Sequence, residues 1–357
     1  MFSMAPMNSQ RTHRRAAHPR QHLFAVAIAM AIAMIAGAII AAPNAHADNR
    51  GWLRPGCVWS WHGGGMQECS VPSPANGYDI TVTVQPAKFG GNGALYMLGG
   101  IGTKNNENQW ANTEAPGMFA NDNVTLVMPH GGQGQFYADW EMAGTALFNH
   151  EGQLLANTGR HKWESFLTGE LPAWLQQNFG VDPHRNSIVG ISMGAIPAIT
   201  LAERHPDQFR QSIAMSGFLD PAALTHLVMI PGFSIATNFG GGQIWEMWGL
   251  NPVQFVNNML KLDPVAGAEG LRNVDTIVFS GNGQLPPGHQ MPLHLPTDPV
   301  IAVGGEWMIG LSSNSFVNKV RAKGINVDYQ VGPGIHAWPT WIMKLQENKG
   351  RILGAVG

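Results

Sequence analysis

Charged side chains are scarce in this chain of 357 residues. Lys, Arg, Asp and Glu together make up 12% of it, and the formal net charge is −2. Nucleic-acid-binding domains carry a clustered excess of Lys and Arg, and since no basic stripe is present we expect no nucleic-acid partner. Hydrophobic residues make up 44% of the chain, with 12 Trp and 18 Met. This composition is typical of a protein with a large hydrophobic core, and it also suits a protein that acts on hydrophobic substrates.

Motifs for metals and cofactors are also absent. The sequence holds no HExxH, no CxxC and no Walker loop, the patterns typical of zinc hydrolases, of redox or zinc sites and of nucleotide-binding loops. The sequence therefore predicts no metal ion, no nucleotide and no other cofactor.

The first 47 residues have the features of a signal peptide. Four arginines precede the apolar run Leu23–Ala42, and Ala45-His46-Ala47 fits a small-residue cleavage site. The apolar run is close to the length that spans a bilayer, but the cleavage site favours removal over anchoring. We therefore predict a secreted or cell-envelope protein, cut after Ala47, whose residues 48–357 form a single domain. Without the four arginines that domain has 17 basic and 23 acidic residues, a formal charge of −6.

Only two cysteines are present, Cys57 and Cys69, and both lie near the start of the predicted mature chain. Two cysteines 12 positions apart in an exported protein are typical of one disulfide bond. The alternatives are a pair of metal ligands or reactive thiols, but neither has a supporting His or Cys at ligand spacing. We expect the disulfide.

Residues Gly190–Gly194 fill the pattern G-x-S-x-G. The strand-like run Asn186–Val189 precedes them, and the helix-prone run Ala195–Arg204 follows. This order is typical of a nucleophile elbow, whose sharp turn exposes a serine hydroxyl. The sequence thus predicts Ser192 as the nucleophile of an acyl-transfer enzyme, against the competing interpretation of a structural turn. The backbone N–H of Met193 is then the first oxyanion donor.

Strand-like and helical runs alternate along residues 48–357. Alternation of this kind predicts an α/β protein with a mostly parallel central sheet and helices on both faces, here of the α/β-hydrolase type. We interpret Asp48–Ala75 as an irregular lead-in, Lys162–Phe179 as a helix, and residues 224–265 as a loosely helical insertion near the site. The predicted strands are Tyr78–Pro86, Ala94–Leu98, Asn123–Met128, Ser187–Ile191, Ser212–Met215, Val274–Phe279 and Ile325–Val331.

A serine nucleophile needs a base, and in this fold the chain order is Ser, then acid, then His. His336 follows the last predicted strand through the turn Gly332-Pro333-Gly334, where the base loop is expected. His289 and His294 lie in a proline-rich stretch, and we interpret them as surface or insertion residues. His336 is the predicted base.

The orienting acid is less evident from the sequence. Many hydrolases of this fold place an Asp directly after the strand that corresponds to Val274–Phe279, but Ser280-Gly281-Asn282 follows here. Glu306 begins a helical run and is the predicted acid. Asp298 is the alternative, as is a site without an acid, and an ordinary first-turn glutamate is the competing interpretation of Glu306.

The second oxyanion donor is expected after the strand Ala94–Leu98. The stretch Gly99-Gly100-Ile101-Gly102 permits a close backbone approach to the nucleophile, and we predict the N–H of Ile101 as the donor. The competing interpretation is a tight glycine turn without a catalytic role.

Eight stretches together resemble the secreted mycolyltransferases of the antigen 85 group, within the wider esterase family of α/β hydrolases. They occur in the order of that family and span about residues 78–345. They are Val127–Gln133, Phe136–Trp140, Lys162–Thr168, Gly190–Met193, His205-Pro206, Met215–Pro221, Met247–Gly249 and Gly334–Trp338.

The resemblance implies a Ser–Glu–His triad, which falls on Ser192, Glu306 and His336. It also implies a substrate-lining tryptophan at Trp338, with Gly100 and Trp110 as further candidates for substrate contact. The implied reaction transfers a mycoyl chain from trehalose monomycolate to a second trehalose or to arabinogalactan. The implied partners are thus glycolipids and a cell-wall polysaccharide, and binding of extracellular matrix proteins is implied by the resemblance alone.

Two alternatives to transfer stay open at the level of the sequence. One is a secreted carboxylesterase or thioesterase that uses water as its acceptor, and the other is a non-catalytic cell-wall-binding paralogue. The chain also departs from the family at one point. Where the best-known members carry Asp-Gly-Leu-Arg, whose Asp and Arg bind trehalose, this chain has Gly99–Gly102. We expect sugar recognition to differ.

Overall fold

Nine strands form one sheet in the residues that the computed structural model describes, which are 48–103, 106–143, 159–220, 244–286, 288 and 301–357. The spatial order is β1-β2-β3-β5-β4-β6-β7-β8-β9. The pairs β1–β2, β2–β3 and β3–β5 are antiparallel. All the other neighbouring pairs in this order, from β5–β4 to β8–β9, are parallel. The strands are β1 (Cys57–Trp59), β2 (Gln67–Val71), β3 (Ile80–Gln85), β4 (Ala94–Leu98), β5 (Thr125–Pro129), β6 (Asn186–Ile191), β7 (Phe209–Met215), β8 (Asp275–Gly281) and β9 (Asp328–Gly332).

Helices connect the strands and cover the sheet. The α-helices of the described residues are α1 (Ala115–Met118), α2 (Trp163–Ser165), α3 (Leu171–Phe179), α4 (Ala195–Arg204), α5 (Ile244–Trp248), α6 (Pro252–Lys261), α7 (Glu306–Ala322) and α8 (Trp338–Val356). Short 3-10 turns occur at Gln109–Asn112, Ser192–Gly194 and Ala268–Asn273, and π turns at Phe166–Glu170 and Ile301–Gly305. No helix in this described part is long and apolar enough to cross a membrane.

The core lies on both faces of the sheet. Every residue of β4, β5 and β6 is buried, as expected for parallel strands with helices on each side. One apolar cluster joins the sheet to α3, α4 and α7, and the other joins it to α8 and to the segment around α1. The predicted α/β fold class is confirmed.

The sequence predicted the central elements more closely than the edges. Strand β4 and helix α4 have the predicted bounds, whereas β9 begins at Asp328 rather than at Ile325. The interpretation of Asp48–Ala75 as irregular is wrong, because β1 and β2 form an antiparallel hairpin there. Of the predicted insertion, α5 and α6 are described and helical, and residues 221–243 lie outside the described residues.

The disulfide between Cys57 and Cys69 is present, as predicted. The two cysteines are directly opposite each other in the β1–β2 hairpin, and Cys69 is fully buried while Cys57 is nearly so. The bond therefore joins the two outermost strands at this edge of the sheet.

We predict that replacing both cysteines, Cys57→Ser with Cys69→Ser, lowers the free energy of unfolding by about 3 kcal/mol. Closing so short a loop restricts the unfolded chain by roughly that amount in the chain-entropy model. Urea unfolding followed by circular dichroism measures the difference. As the control, a reducing agent is expected to destabilise the natural chain and to leave the double variant unchanged. Equal stability of the two oxidised proteins would contradict the prediction.

Candidate active site

Ser192 lies on the sharp turn between β6 and α4, and its backbone is in the left-handed region with φ 52°. Non-glycine residues rarely adopt this conformation, and it is typical of strained functional turns. The two glycines of the motif make the turn sterically feasible. A Cβ at Gly190 would overlap the carbonyl of Gly194, and a Cβ at Gly194 would lie 2.5 Å from the carbonyl oxygen of Gly99.

His336 contacts the nucleophile from the loop between β9 and α8. Its Nε2 lies 2.9 Å from Ser192 Oγ, and its side chain is 13% exposed. The loop is held by a hydrogen bond from the N–H of Ile335 to Thr340 Oγ1, 2.9 Å long. Gly334 packs against the end of β8, where a Cβ would lie 2.6 Å from Thr340 Cγ2. The imidazole is thereby placed directly over the serine.

Glu306, the first residue of α7, lies on the other side of the imidazole and is fully buried. Its Oε2 accepts a hydrogen bond of 2.8 Å from His336 Nδ1. Its Oε1 accepts two more, each 2.7 Å long, from Ser216 Oγ and from the backbone N–H of Gly281. Because Nδ1 carries the hydrogen, Nε2 is left to accept the hydroxyl proton of Ser192.

The end of β8 carries no carboxylate and instead binds the carboxylate of Glu306. Gly281, its last residue, donates its N–H to Glu306. A side chain there would overlap the carbonyl of Gly334 in the histidine loop. The acid therefore comes from α7, which packs against β8. The alternative acid Asp298 lies outside the described residues, as do His289 and His294.

The loop after β4 reaches the nucleophile, as expected for an oxyanion loop. A Cβ at Gly100 would lie 3.4 Å from Ser192 Cβ and 3.8 Å from Ser192 Oγ. Met193 lies in the first turn after β6, where backbone N–H groups have no intrahelical acceptor. The loop of Ile101 and the turn of Met193 thus both lie next to Ser192, and their role as oxyanion donors stays a prediction.

Gln109 fills the space beside this glycine loop. Its Oε1 accepts hydrogen bonds from the N–H of Gly100, at 3.1 Å, and from Thr103 Oγ1, at 3.0 Å. A Cβ at Gly102 would lie 3.5 Å from Gln109 Nε2, and a Cβ at Gly99 would overlap Thr103 Oγ1. The hydroxyl of Thr103 thus occupies the space beside Gly99, while Gln109 lies within ordinary contact distance of Gly102.

Three tryptophans form a packed wall beside the histidine. Trp338 is partly exposed and packs edge-on against both Trp110 and Trp341, with ring centroids 5.1 Å and 5.3 Å apart. Trp341 also packs edge-on against His336, at 5.1 Å. Trp110 is fully buried and packs against Trp338, and its contact with substrate stays a prediction.

Sequence reasoning missed Ser216 and Trp341, which extend the hydrogen-bonded chain behind the acid. Trp341 Nε1 donates to Ser216 Oγ at 2.9 Å, and Ser216 Oγ donates to Glu306 Oε1. Ser216 has φ 55°, a second left-handed serine in the site. The stretch Met215–Pro221 was noted in the sequence only as a family motif, and its position directly after a buried strand was the available signal.

No group of three or more His, Cys, Asp or Glu side chains within the described residues is arranged to hold a metal ion.

Residues 73–352 match the model of the protein family described as "Putative esterase". The diacylglycerol acyltransferase/mycolyltransferase Ag85A of Mycobacterium tuberculosis is 32% identical to the chain over 337 residues, which cover 92% of this chain and 90% of that protein. The corresponding Ag85B of Mycolicibacterium smegmatis is 34% identical over 295 residues, covering 80% of this chain and 84% of that protein.

Solved structures resemble the chain over a similar range. MPT51 (FbpC1) of Mycobacterium tuberculosis matches with a TM-score of 0.65 at 28% identity, covering 82% of this chain and 99% of that chain. The Staphylococcus aureus serine hydrolase FphF matches with a TM-score of 0.58 at 15% identity, over 80% of this chain and 97% of that one. The second likeness is one of fold alone.

We predict that Ser216→Ala lowers kcat by about 10- to 100-fold and leaves KM nearly unchanged. The variant removes a hydrogen bond to a buried carboxylate, and hydrogen bonds to charged groups contribute roughly 1.5–3 kcal/mol. Ser216 contacts Glu306 and Trp341, so substrate binding is not expected to change. Steady-state hydrolysis of a short p-nitrophenyl ester gives both constants.

Ser313→Ala is the matched control for this variant. Ser313 is equally buried and donates to the carbonyl of Gly217 at 2.9 Å, so it joins the same loop to α7 without touching the acid. Equal losses of activity in the two variants would show that loop attachment, rather than orientation of the acid, is responsible.

Proposed function

The chain belongs to the putative esterase family and, within it, to the antigen 85 mycolyltransferase group, and from this premise we propose that it is an exported serine acyltransferase. The proposed reaction moves a mycoyl or other long acyl chain from trehalose monomycolate to a second trehalose or to cell-wall arabinogalactan. The acyl chain is carried on Ser192. The observation that carries the proposal is the unbroken hydrogen-bonded chain Ser192–His336–Glu306.

Each half of the reaction uses the same groups. His336 Nε2 takes the proton of the Ser192 hydroxyl as Oγ attacks the ester carbonyl. The oxyanion that forms accepts hydrogen bonds from the backbone N–H groups of Ile101 and Met193. His336 then gives the proton to the departing sugar oxygen, which leaves Ser192 acylated. In the second half His336 deprotonates the acceptor hydroxyl, whose oxygen attacks the acyl carbonyl. The bond from that carbon to Ser192 Oγ then breaks, and His336 returns the proton to Oγ, which regenerates the serine hydroxyl.

Glu306 is the group that makes His336 an effective base in this proposal. Its buried carboxylate stabilises the imidazolium that forms in each half-reaction and holds the ring in the tautomer that faces Ser192. Trp338 borders the site as the proposed substrate-lining side chain. A hydrolase that uses water in place of the acceptor has the same groups, so the acceptor distinguishes transfer from hydrolysis.

We predict that Ser192→Ala abolishes covalent labelling by a fluorophosphonate and lowers turnover by several powers of ten, as loss of a triad nucleophile does.

Glu306→Gln is expected to lower the rate on the order of 10³- to 10⁴-fold without unfolding the protein. Incubation with trehalose monomycolate, with and without added acceptor, followed by lipid analysis measures the transfer.

Asp298→Asn is the control for the acid, because Asp298 is the alternative suggested by the sequence. A small effect of Glu306→Gln together with a severe effect of Asp298→Asn would overturn the assignment. A natural chain that never labels would favour a non-catalytic paralogue, and release of free mycolic acid regardless of acceptor would favour a hydrolase.

Acceptor recognition is proposed to differ from that of trehalose-specific relatives. The family position that carries Asp is Gly99 here, and Thr103 Oγ1 occupies the space that a side chain at this position would need. Gln109, which is neutral, is the polar side chain beside the loop. Two charged contacts with the sugar are thereby absent from this loop.

We predict a preference for trehalose over glucose, arabinose oligomers, glycerol and diacylglycerol that is weaker than in relatives with the Asp and Arg. Hydrogen bonds to charged groups contribute roughly 1.5–3 kcal/mol each, so the loss of two corresponds to about a hundredfold or more in trehalose affinity. The panel is measured with one common acyl donor. A trehalose preference as sharp as that of an Asp- and Arg-bearing relative assayed in parallel would contradict the prediction.

A further inference from the structure

A second pocket lies away from the catalytic serine, between the turn of the β1–β2 hairpin and the segment Gln109–Ala120. Its volume is about 360 Å³, within the usual range of small-molecule sites. Gln67 of the hairpin pairs with Val84, and Gln85 pairs with Leu126 in the antiparallel β3–β5 ladder. The hairpin turn therefore lies toward the amino ends of the parallel strands, whereas Ser192 follows the carboxyl end of β6.

The aromatic edge of this pocket is unusually open. Trp61 is 80% exposed, and its ring packs on that of His62 with centroids 3.7 Å apart. Three successive glycines, Gly63, Gly64 and Gly65, have φ between 64° and 75°, which only glycine adopts readily. This turn presents a large apolar ring to solvent at the edge of the pocket.

Specific interactions hold the walls of the pocket in place. The guanidinium of Arg50, itself buried, donates to the carbonyls of Pro86, Phe119 and Ala120. A Cβ at Gly65 would lie 2.5 Å from Arg50 Cβ, so the turn also rests on this arginine. Gln85 Nε2 donates to the carbonyl of Pro116 at 3.0 Å across the floor. The concavity is a built feature of the fold and does not depend on a mobile surface chain.

The chemistry of the lining excludes charged ligands. The lining residues in the described part of the chain are Trp61, His62, Gly64, Met66, Gln85, Ala111, Asn112, Thr113, Pro116, Gly117 and Ala120. Burial lowers the pKa of His62 below its usual value, against the opposing effect of Glu68 and Glu107, which favours the neutral imidazole. The pocket then combines an aromatic face and apolar walls with neutral amide, hydroxyl and imidazole groups.

We propose that this pocket binds a neutral saccharide and holds the protein on polysaccharide independently of catalysis. One face of a sugar ring consists of C–H groups, which pack on an exposed indole such as that of Trp61. The hydroxyl groups at the ring edge match uncharged donors and acceptors, which Asn112 and His62 supply at the rim. None of the described residues that line the pocket is a Lys or Arg that would favour a phosphate or sulfate group, and the polar groups at the rim disfavour an acyl chain.

The test measures binding to neutral polysaccharide on the Ser192→Ala protein, which separates it from the proposed acyl transfer. Native gel electrophoresis is run with soluble arabinogalactan, mannan or dextran in the gel, and retardation gives the affinity. We expect retardation by at least one of these, about tenfold weaker affinity in Trp61→Ala, and a several-fold loss in Asn112→Ala. With Ser192 intact, Trp61→Ala is expected to hydrolyse a short p-nitrophenyl ester at the natural rate.

Trp59→Ala is the matched control, because Trp59 lies on the same hairpin, is 49% exposed and does not line the pocket. Circular dichroism and urea unfolding check that all variants are folded. Absence of retardation by all three polysaccharides overturns the proposal. Equal retardation of the Ser192→Ala protein with and without Trp61→Ala also overturns it. Equal weakening by Trp59→Ala and Trp61→Ala, or binding only to phosphatidylcholine vesicles, would identify a general apolar surface instead.

Discussion

The buried carboxylate of Glu306 is the constraint on which the rest of the site depends. A fully buried charge is tolerated only where hydrogen bonds replace the lost water, and here three of them do so from three different elements. The loop after β7 contributes Ser216, the end of β8 contributes the N–H of Gly281, and the loop after β9 contributes His336. Satisfying this one group therefore fixes the relative positions of β7, β8 and the histidine loop.

The same constraint explains why helix α7 is attached so firmly to the loop after β7. Ser313 donates to the carbonyl of Gly217, and the N–H of Asp220 donates to Ser312 Oγ. Lys319 forms an ion pair of 2.6 Å with Asp220, whose side chain is almost completely buried. Since Glu306 is the first residue of α7, each contact along the helix limits how far its carboxylate can move from His336.

The local sequence pattern was sufficient to predict the central strands and helices. It was insufficient for the elements and side chains whose positions depend on long-range packing. Strand β4 and helix α4 were predicted to the residue, because glycine bounds the apolar run of β4 on both sides, and Gly194 and His205-Pro206 bound that of α4. The hairpin at Cys57–Val71 was missed because glycine and tryptophan obscure its alternation. Ser192, His336 and Glu306 were predicted as one site and lie within hydrogen-bond distance, while their catalytic roles stay predictions. Trp341 and the closeness of Thr103 to Gly99 follow only from the folded chain, whereas Ser216 had one sequence signal, its position directly after a buried strand.

The glycine loop after β4 is shaped by the polar side chains packed beside it. Gln109 accepts from the N–H of Gly100, one residue before the proposed donor Ile101, and also from Thr103. Thr103 in turn donates to the carbonyl of Gly100 and excludes a side chain at position 99. The loop after β4 therefore reaches Ser192 with Thr103 in the space beside Gly99, where a Cβ would overlap Thr103 Oγ1. A side chain at that position would have to displace the Thr103 hydroxyl, which is bonded within the loop and to Gln109. The residue type at position 99 and the shape of the loop that packs against the serine are thus linked through Thr103.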